Sequence, residues 1–319
     1  MPTSTPIASR WRTAPVLITG VSGVMGQALV RYLQDNSFSN VVALTSKDAD
    51  LTNMEATQAA MDRYRPSLVF HLAARVSGIM GNMRNRGRAY LDNILINTNV
   101  IEAARRAGVK KIVAMGTTAI YSDIAPQPLS EDDLWLGPPH HSEAPYGHAK
   151  RAMLAQLQAY NEEYGLEYAF CISTNLFGPG DKFDEATGHV IPSLISKFHR
   201  ALHTGGIVEV WGTGEPQRDF LYSMDAAHAL YLIADQGSGP INVASGKPVS
   251  IKECVETIAN VVGYNGEIRW DTSKPNGQML RDYNIDCLMG LGFSPKYSLS
   301  DGLTETFEWY ARNVSNARR

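Results

Sequence analysis

The sequence predicts an α/β protein built around a parallel sheet that has helices on both faces. In the first half of the 319-residue chain, short β-branched runs alternate with longer amphipathic stretches. The short runs are apolar almost throughout, which is typical of strands that are buried on both sides. Strands that alternate with helices pair in parallel, because each helix carries the chain back to the same end of the sheet. The predicted fold class is therefore a doubly wound parallel sheet.

Each element of this fold follows from a local pattern. A run of apolar residues predicts a strand, and apolar residues that recur on one face predict a helix. The elements predicted for the first half, in chain order, are strand 15–19, helix 24–34, strand 41–44, helix 54–64, strand 67–70, helix 88–107 and strand 111–115.

Beyond residue 175, turns rich in Gly and Pro divide the chain into shorter pieces. We predict helix 190–202, strand 208–211 and helix 250–262, which Ser250 caps with Glu253 three residues later. The expected parts of the chain are a flexible tail over 1–13, a large doubly wound domain over 14–175 with later strands from about 205–245, and a smaller α/β lobe over 176–319.

Composition limits the classes of partner. The 29 Lys and Arg residues against 32 Asp and Glu residues give a net charge of −3, so neither a nucleic acid nor an anionic membrane is expected. No apolar run approaches the ~18 residues of a membrane span. The cysteines Cys171, Cys254 and Cys287 are far apart and odd in number, so we predict no disulfide and no metal site. A reducing compartment, the cytoplasm, is the expected location.

A glycine-rich turn joins the first predicted strand to the first helix. The first glycine permits the tight turn, the second lets the backbone approach a pyrophosphate, and the third lets the helix pack on the strand. The same spacing occurs in ordinary strand–helix turns, but this position near the start of the chain is the context of a dinucleotide site on a Rossmann fold. The residues predicted to bind the cofactor here are Gly20, Ser22, Gly23, Val24, Met25 and Gly26.

The end of the second strand bears on the choice between NAD and NADP. An acidic residue at this point would accept the ribose hydroxyls of NAD and repel a 2′-phosphate. The chain instead has Ser46 and Lys47, which suit the phosphate of NADP, while Asp50 is placed to touch the adenine. Lys47 has an almost equally good interpretation as a solvated loop lysine. The sequence favours NADP(H) over NAD.

Three residues form a candidate catalytic group. The strand over 111–115 leads to Thr117 at the edge of the sheet where such folds bind ligands. Tyr146 and Lys150 are four residues apart and so share one face of a helix. A neighbouring cation is expected to lower the pKa of the phenol from its usual value near ~10, which makes Tyr146 a general acid or base near neutral pH. Such a pair also arises by chance on surface helices, but its combination with the glycine turn and the Thr-bearing strand end, in this chain order, makes chance improbable.

Longer stretches of the sequence carry a resemblance. The chain resembles the GDP-L-fucose synthase family of the extended short-chain dehydrogenase/reductase superfamily, from Gly20 to the region of Tyr310. The segments that carry the resemblance are 46–51, 71–74, 137–140, 174–181, 188–192 and 210–214.

The resemblance implies a reaction on a GDP-linked 4-keto sugar. Hydride from NADPH reaches C4, Tyr146 protonates the oxygen, Lys150 holds the nicotinamide ribose, and Thr117 stands in for the family's catalytic serine. Further cofactor-binding positions implied by the resemblance are Leu51, Leu72, Ala73, Ala74, Met115, Gly116, Thr174, Asn175, Leu176 and His189. The implied substrate-binding positions are Thr118, Ala119, Asn175, Lys197, Trp211, Arg218 and Asn276.

One position departs from the family pattern. The family epimerises the sugar with a cysteine two residues after the catalytic serine and a histidine that returns the proton. His189 matches the histidine, but Ala119 stands at the cysteine position and a methyl group cannot accept a proton. Without such a base a proton-transfer step slows by ~10²–10⁴-fold, so we expect a C4-ketoreductase with weak or absent 3,5-epimerase activity.

Alternative functions stay open at this point. One is the complete bifunctional GDP-L-fucose synthase reaction, and another is a nucleotide-sugar dehydrogenase or 4-epimerase. A non-catalytic dinucleotide sensor is a third, although a sensor has no need of the group formed by Thr117, Tyr146 and Lys150. By analogy with the superfamily, helices around 92–107 and 146–164 are expected to form a homodimer.

Overall fold

The structure, a computed structural model, describes residues 9–76, 85–274 and 276–319. Residues 1–8 of the expected tail lie outside this part of the chain. Residues 9–13 lie inside it, and they are packed rather than flexible. Trp11 is buried, and its indole N–H donates to the carbonyl oxygen of Ala234 at 2.9 Å. An aromatic ring with a satisfied N–H anchors this segment, so the expected tail is wrong for residues 9–13.

The main sheet and its helices come mostly from the first half of the chain. Its elements begin with β1 (Val16–Thr19), α1 (Val24–Asp35), β2 (Val41–Leu44), α2 (Met54–Tyr64), β3 (Leu68–His71), α3 (Arg86–Arg106) and β4 (Lys111–Met115). Two short 3₁₀ turns (Thr118–Ile120 and Glu131–Asp133), α4 (Ala144–Tyr164), β5 (Glu167–Ser173) and β6 (Asn175–Phe177) follow.

The remaining elements build the second lobe and complete the sheet. They are α5 (Val190–Thr204), β7 (Val208–Trp211), β8 (Gln217–Arg218), β9 (Phe220–Tyr222), α6 (Ser223–Gln236), β10 (Gly239–Val243), β11 (Val249–Ser250), α7 (Ile251–Val262), β12 (Ile268–Asp271), β13 (Leu280–Arg281), α8 (Asp286–Gly290) and α9 (Leu299–Asn313).

Six parallel strands form the main sheet in the order β10-β5-β4-β3-β1-β2. Strands β1, β3 and β4 are buried along their whole length, as their continuous apolar runs predict. The predicted doubly wound fold class is confirmed. Each predicted element of the first half is present, and its ends lie within two residues of those observed.

The second lobe has its own apolar core. Phe177, Phe183 and Phe198 lie in it with residues from α5, α7 and α9. Its sheets are small, with three strands in the order β11-β8-β13 and two pairs, β12-β7 and β6-β9. Ser250 caps α7 by accepting from the N–H of Glu253 at 3.0 Å. This lobe faces the carboxyl ends of the main strands through β6, which continues from β5.

The order of the strands fixes where a ligand can bind. Strand β2 lies on one side of β1, and strand β3 lies on the other. The loop after β1 therefore leads toward one edge of the sheet and the loop after β3 toward the opposite edge, and the two loops diverge. A crevice forms at such a switch point, outside the carboxyl ends of the strands. Within the described ranges, no helix combines the length and the apolar character needed to cross a membrane.

Candidate active site

The glycine-rich turn closes tightly onto the segment after β3. Gly20 has φ +75°, and a Cβ at this position would lie 2.7 Å from the amide nitrogen of Ala73. A Cβ at Gly26 would lie 2.5 Å from the carbonyl oxygen of Gly20, so α1 packs directly on the turn. Both glycines are therefore required by close backbone contacts.

The start of α1 is suited to an anion. Gly23 is the N-cap residue and offers no side-chain acceptor to the first N–H groups of the helix. These N–H groups and the helix dipole together attract a phosphate. The residues present fit the diphosphate of a dinucleotide at the predicted position.

A buried polar network supports the other wall of this crevice. The Thr19 hydroxyl lies 3.0 Å from Nδ1 of His71, and it accepts from the N–H groups of Leu72 and Ala73 at 3.2 and 3.1 Å. Nε2 of His71 lies 3.1 Å from Oδ1 of Asn97. Burial lowers the pKa of His71 to about 3, so this imidazole is neutral and structural. The network fixes the backbone of the predicted cofactor positions 72–73.

The end of β2 presents an exposed cation beside two carboxylates that are hydrogen-bonded to threonines. Ser46 and Lys47 are exposed. The Asp48 carboxylate accepts from the N–H and hydroxyl of Thr45, at 2.8 and 2.6 Å. Asp50 is likewise bonded to the Thr52 N–H and hydroxyl, at 3.0 and 2.8 Å. Hydrogen bonds to Thr45 and Thr52 lower the pKa values of these two carboxyl groups.

Helix α4 lies directly against the turn after β4, which brings together the candidate catalytic residues. A Cβ at Gly147 would lie 2.6 Å from the carbonyl oxygen of Ala119, so no larger residue fits between the helix and this turn. The Thr117 hydroxyl oxygen accepts from the Ala119 N–H at 3.2 Å. Because its oxygen is the acceptor there, the Thr117 hydroxyl proton is available to a ligand.

The expected electrostatic effect on Tyr146 is wrong for this arrangement. Tyr146 and Lys150 are both buried, and Nζ of Lys150 lies 5.9 Å from the Tyr146 ring centroid. Burial raises the pKa of Tyr146, with a smaller contribution from the Glu143 carboxylate, and burial lowers the pKa of Lys150 to about 7. Loss of hydration favours the neutral form of both groups. Tyr146 is therefore a protonated phenol, the form that can give a proton.

The predicted residues of the second lobe form two groups. Nζ of Lys197 lies 5.9 Å from the ring centroid of Trp211, which is 53% exposed. Lys274, which was not among the predicted residues, places its Nζ 5.7 Å from the same centroid. Asn276 accepts from the Thr213 N–H at 2.8 Å and so holds the loop after Trp211. This first group offers a flat aromatic face flanked by cations.

The second group lies nearer to β5 and β6. The Thr174 hydroxyl and the Asn175 amide donate to the backbone oxygen of Asp219, at 2.9 and 3.1 Å. Asp219 is the residue that follows Arg218, so its backbone links two predicted cofactor-binding residues to a predicted substrate-binding residue. His189 is the exposed N-cap residue of α5. No hydrogen bond joins His189 to Tyr146 in the described parts of the chain.

Sequence reasoning missed Arg281 and Tyr283. Strands β13 and β8 pair in parallel with Arg281 beside Arg218, and Nη2 of Arg281 lies 3.8 Å from the Glu143 carboxylate. Tyr283 is buried, and burial raises its pKa although the neighbouring Arg281 guanidinium and Thr118 hydroxyl act in the opposite direction. No pattern predicts a two-residue strand such as β13, so this pairing had no signal in the sequence.

The comparisons with known proteins agree with this geometry. A model of the NAD dependent epimerase/dehydratase family matches residues 16–244. A putative GDP-L-fucose synthase 2 of Arabidopsis thaliana is 39% identical over 306 residues, which cover 95% of this chain and 93% of the relative. The chain belongs to the GDP-L-fucose synthase family.

Solved structures extend this relationship within and beyond the GDP-L-fucose synthase family. A GDP-L-fucose synthetase from Naegleria fowleri bound to NADP has a TM-score of 0.92 and 32% identity, with 99% of this chain and 98% of that one covered. MlghC, a GDP-mannoheptose C4 reductase from Campylobacter jejuni with NADP bound, has a TM-score of 0.85 and 30% identity, with 94% and 99% covered. The similarity spans both lobes, so it includes the second-lobe residues described above.

Proposed function

We propose that this protein reduces the C4 ketone of a GDP-linked 4-keto sugar with NADPH and does so without epimerising C3 or C5. As a member of the GDP-L-fucose synthase family, it is an NADP-dependent oxidoreductase of GDP-sugars. The finer assignment rests on one observation. Tyr146 and Thr117 are suited to protonating an oxygen, whereas Ala119 has no group that could act as a base.

The chain's own residues account for the proton side of the reduction. NADPH, when held at the glycine-rich turn, would supply the hydride for the reduction. Tyr146 keeps its proton because burial raises its pKa, and it gives that proton to the oxygen that becomes a hydroxyl. The Thr117 hydroxyl, whose oxygen already accepts from the Ala119 N–H, donates a hydrogen bond to the same oxygen. Lys150 stays next to Tyr146 and contributes positive charge when protonated.

The alanine at the family's cysteine position supports loss of epimerisation. Ala119 is 3% exposed, and its methyl group lies in the turn that also carries Thr117. Cys171 and Cys254 cannot substitute, because both are buried in the apolar cores and burial raises the pKa of each thiol to about 12. A thiol of that pKa is almost entirely protonated near neutral pH.

The second lobe supports a GDP-linked substrate. The Trp211 face provides a stacking surface for a purine, and Lys197 and Lys274 beside it add positive charge. Arg218, with Arg281 alongside, provides guanidinium groups suited to a diphosphate. Burial and the neighbouring Arg281 lower the pKa of Arg218, which means that an anion between the two arginines would relieve their repulsion.

The decisive experiment separates reduction from epimerisation. The purified protein is mixed with GDP-4-keto-6-deoxymannose in D₂O without NADPH, and deuterium at C3 and C5 is followed by NMR. NADPH oxidation is measured in parallel. We expect NADPH consumption with no deuterium uptake, and Ala119→Cys should introduce uptake. Rapid uptake by the wild-type protein would instead assign the complete bifunctional GDP-L-fucose synthase reaction.

Tyr146→Phe is the matched variant for the reduction step. It should lower kcat by ~10²–10⁴-fold and leave the affinity for NADPH close to that of the wild-type protein. Undiminished turnover by this variant would show that another group protonates the C4 oxygen. A wild-type protein that does not oxidise NADPH with any GDP-4-keto sugar would contradict the proposed function itself.

We also propose a cytoplasmic homodimer. Helices α3 and α4 pack side by side, and a surface cavity of about 790 Å³ lies between them, lined in part by Tyr90, Trp135, His148 and Ala155. Tyr90 and Trp135 are 43% and 53% exposed, a large apolar area that a second copy would cover. Light scattering should give the mass of a dimer, and Ala155→Glu should shift it toward that of a monomer.

A further inference from the structure

The loop before His189 folds back on itself. The N–H of Gly188 donates to the carbonyl oxygen of Asp184 at 2.9 Å. A Cβ at Gly188 would lie 2.7 Å from the carbonyl oxygen of Lys182, so the two ends of the loop are in direct contact. His189 follows one end and Asp181 precedes the other. The fold of the loop therefore places the Asp181 carboxylate and the His189 imidazole near each other.

Asp181 is a buried carboxylate with an unused oxygen. It is 4% exposed, and Oδ1 accepts from the Lys182 N–H at 2.7 Å. Oδ2 has no hydrogen-bond partner among the residues that the structure describes. A buried carboxylate is stable only when positive charges compensate it. Burial raises the pKa of the Asp181 carboxyl group, and the nearby His189 and Arg318 oppose that rise.

Arg318 follows α9 and is held in place by its backbone. Its carbonyl oxygen accepts from the Phe183 N–H at 2.8 Å, and it forms an isolated β-bridge with Lys182. The guanidinium then extends to the glycine-rich turn, where Nη1 donates to the carbonyl oxygen of Ser22 at 3.0 Å. Gln27 donates to the same oxygen at 3.2 Å.

We propose that Arg318 is a positioning residue of the cofactor site. Its guanidinium ties the Ser22 carbonyl of the phosphate-binding turn to the Asp181 loop that carries His189, and it adds positive charge beside that turn. The inference rests on the proposed use of NADPH. It assigns a role to a residue that lies far from the glycine turn in sequence and belongs to no motif.

The geometry distinguishes this role from that of an ordinary surface arginine. Arg318 contacts two parts of the site, the turn at Ser22 and the loop at 182–183, while its side chain remains exposed. Its neighbour Arg319 is also exposed and has no hydrogen bond or ion pair in the described ranges. Arg318→Ala and Arg319→Ala therefore remove the same group from adjacent positions, with only the first affecting the site.

The test measures the dissociation constant of NADPH by fluorescence, without any sugar substrate, at several salt concentrations. We expect Arg318→Ala to raise the dissociation constant about tenfold and to weaken its dependence on salt, because a charge near an anionic ligand is lost. Arg318→Lys should restore the salt dependence and part of the affinity. Arg319→Ala should resemble the wild-type protein. Thermal unfolding of the ligand-free variants confirms that each is folded.

A double-mutant cycle tests the link to Asp181. If Arg318 and Asp181 act as one unit, Arg318→Ala combined with Asp181→Asn should bind NADPH about as weakly as the weaker single variant. If the double variant instead raises the NADPH dissociation constant by the product of the two single effects, the link between Arg318 and Asp181 is overturned. If Arg318→Ala has an NADPH dissociation constant within twofold of wild type, the role of Arg318 is overturned. A wild-type protein that does not bind NADPH would instead contradict the proposed function, so the two failures are distinguishable.

Discussion

The ammonium of Lys150 donates a hydrogen bond of 2.8 Å to the backbone oxygen of Met115, the last residue of β4. This bond joins the catalytic helix α4 to the strand that delivers Thr117. It also holds a charged group in a place where Lys150 is only 1% exposed. A buried amine with one carbonyl partner is incompletely compensated, which is why its pKa falls to about 7.

The first prediction concerns the pH dependence of stability in the ligand-free protein. The Lys150 pKa falls from 10.5 to about 7 on folding, so between these values the unfolded chain binds more protons than the folded one. Folding free energy from this group therefore becomes more favourable as pH rises from 7 to 10.5. The Lys150→Met variant has no group that titrates here. The amount by which its free energy of unfolding exceeds that of wild type should shrink as pH rises from 7 to 10.5, by at most about 1.4 kcal/mol per pH unit.

Urea unfolding at several pH values measures this difference. Lys110→Met, which removes an exposed lysine just before β4, is the control for the change of residue type. A constant difference between Lys150→Met and wild type over the whole range would show that Lys150 is protonated in the folded protein throughout.

The second prediction concerns the contact between α4 and the turn that carries Thr117. A Cβ at Gly147 would lie 2.6 Å from the Ala119 carbonyl oxygen and 2.8 Å from Cβ of Pro139. Backbone and a rigid ring cannot move aside easily, so Gly147→Ala should destabilise the protein by about 1–3 kcal/mol. It should also reduce kcat at least tenfold, because Tyr146 is the preceding residue of the displaced helix.

Gly290→Ala is the matched control for this helix substitution. Gly290 ends α8, and no atom lies within 4 Å of a Cβ placed there. Alanine should be neutral or slightly stabilising at this position, because glycine loses more conformational entropy on folding. If Gly147→Ala were as stable and active as Gly290→Ala, the close contact between α4 and the turn would be incorrect.

The sequence predicted the sheet better than it predicted the electrostatics. Local patterns determine the elements, since the apolar runs of β1 and β4 and the cap at Ser250 depend on nearby residues alone. The spacing of Tyr146 and Lys150 correctly placed both on α4, but burial depends on the whole fold and reversed the expected pKa shift of the phenol. Spacing in a sequence does not reveal how much water a side chain loses.

The other features that the sequence did not predict are contacts between residues that lie far apart in the chain. Arg318 reaches Ser22, a contact that depends on how α9 and the segment after it pack. The pairing of Arg281 with Arg218 arises between two strands of two residues each, too short for any periodic pattern. Both contacts are tertiary, so only the folded chain reveals them.

The third prediction concerns the cofactor preference. Lys47 is exposed at the end of β2, and the neighbouring carboxylates of Asp48 and Asp50 are bonded to threonines. A glutamate in place of Lys47 would remove a positive charge and introduce a negative one beside the expected 2′-phosphate. Lys47→Glu should therefore lower kcat/KM with NADPH at least tenfold while that with NADH changes little.

The ratio of kcat/KM for NADPH to that for NADH is the quantity to measure. Lys110→Glu introduces the same charge change at an exposed position at the other end of the sheet and should leave the ratio unaltered. Equal loss with both cofactors after Lys47→Glu would mean that Lys47 does not discriminate between them.

The last prediction concerns the two arginines that β8 and β13 place side by side. Arg281 faces Arg218 in the parallel register, and the one carboxylate that pairs with Arg281 in the described chain is Glu143, at 3.8 Å. Two guanidinium groups with so little compensation are suited to an anion that carries more than one charge. Arg281→Ala should raise KM for the GDP-sugar about tenfold and leave the NADPH dissociation constant unchanged, because a charged hydrogen bond contributes roughly 1.5–3 kcal/mol.

Arg269→Ala, which removes an exposed arginine paired with Glu267, is the control and should leave both quantities unchanged. An Arg281→Ala variant with a lowered kcat and an unaltered KM would place this arginine in the chemical step rather than in substrate binding.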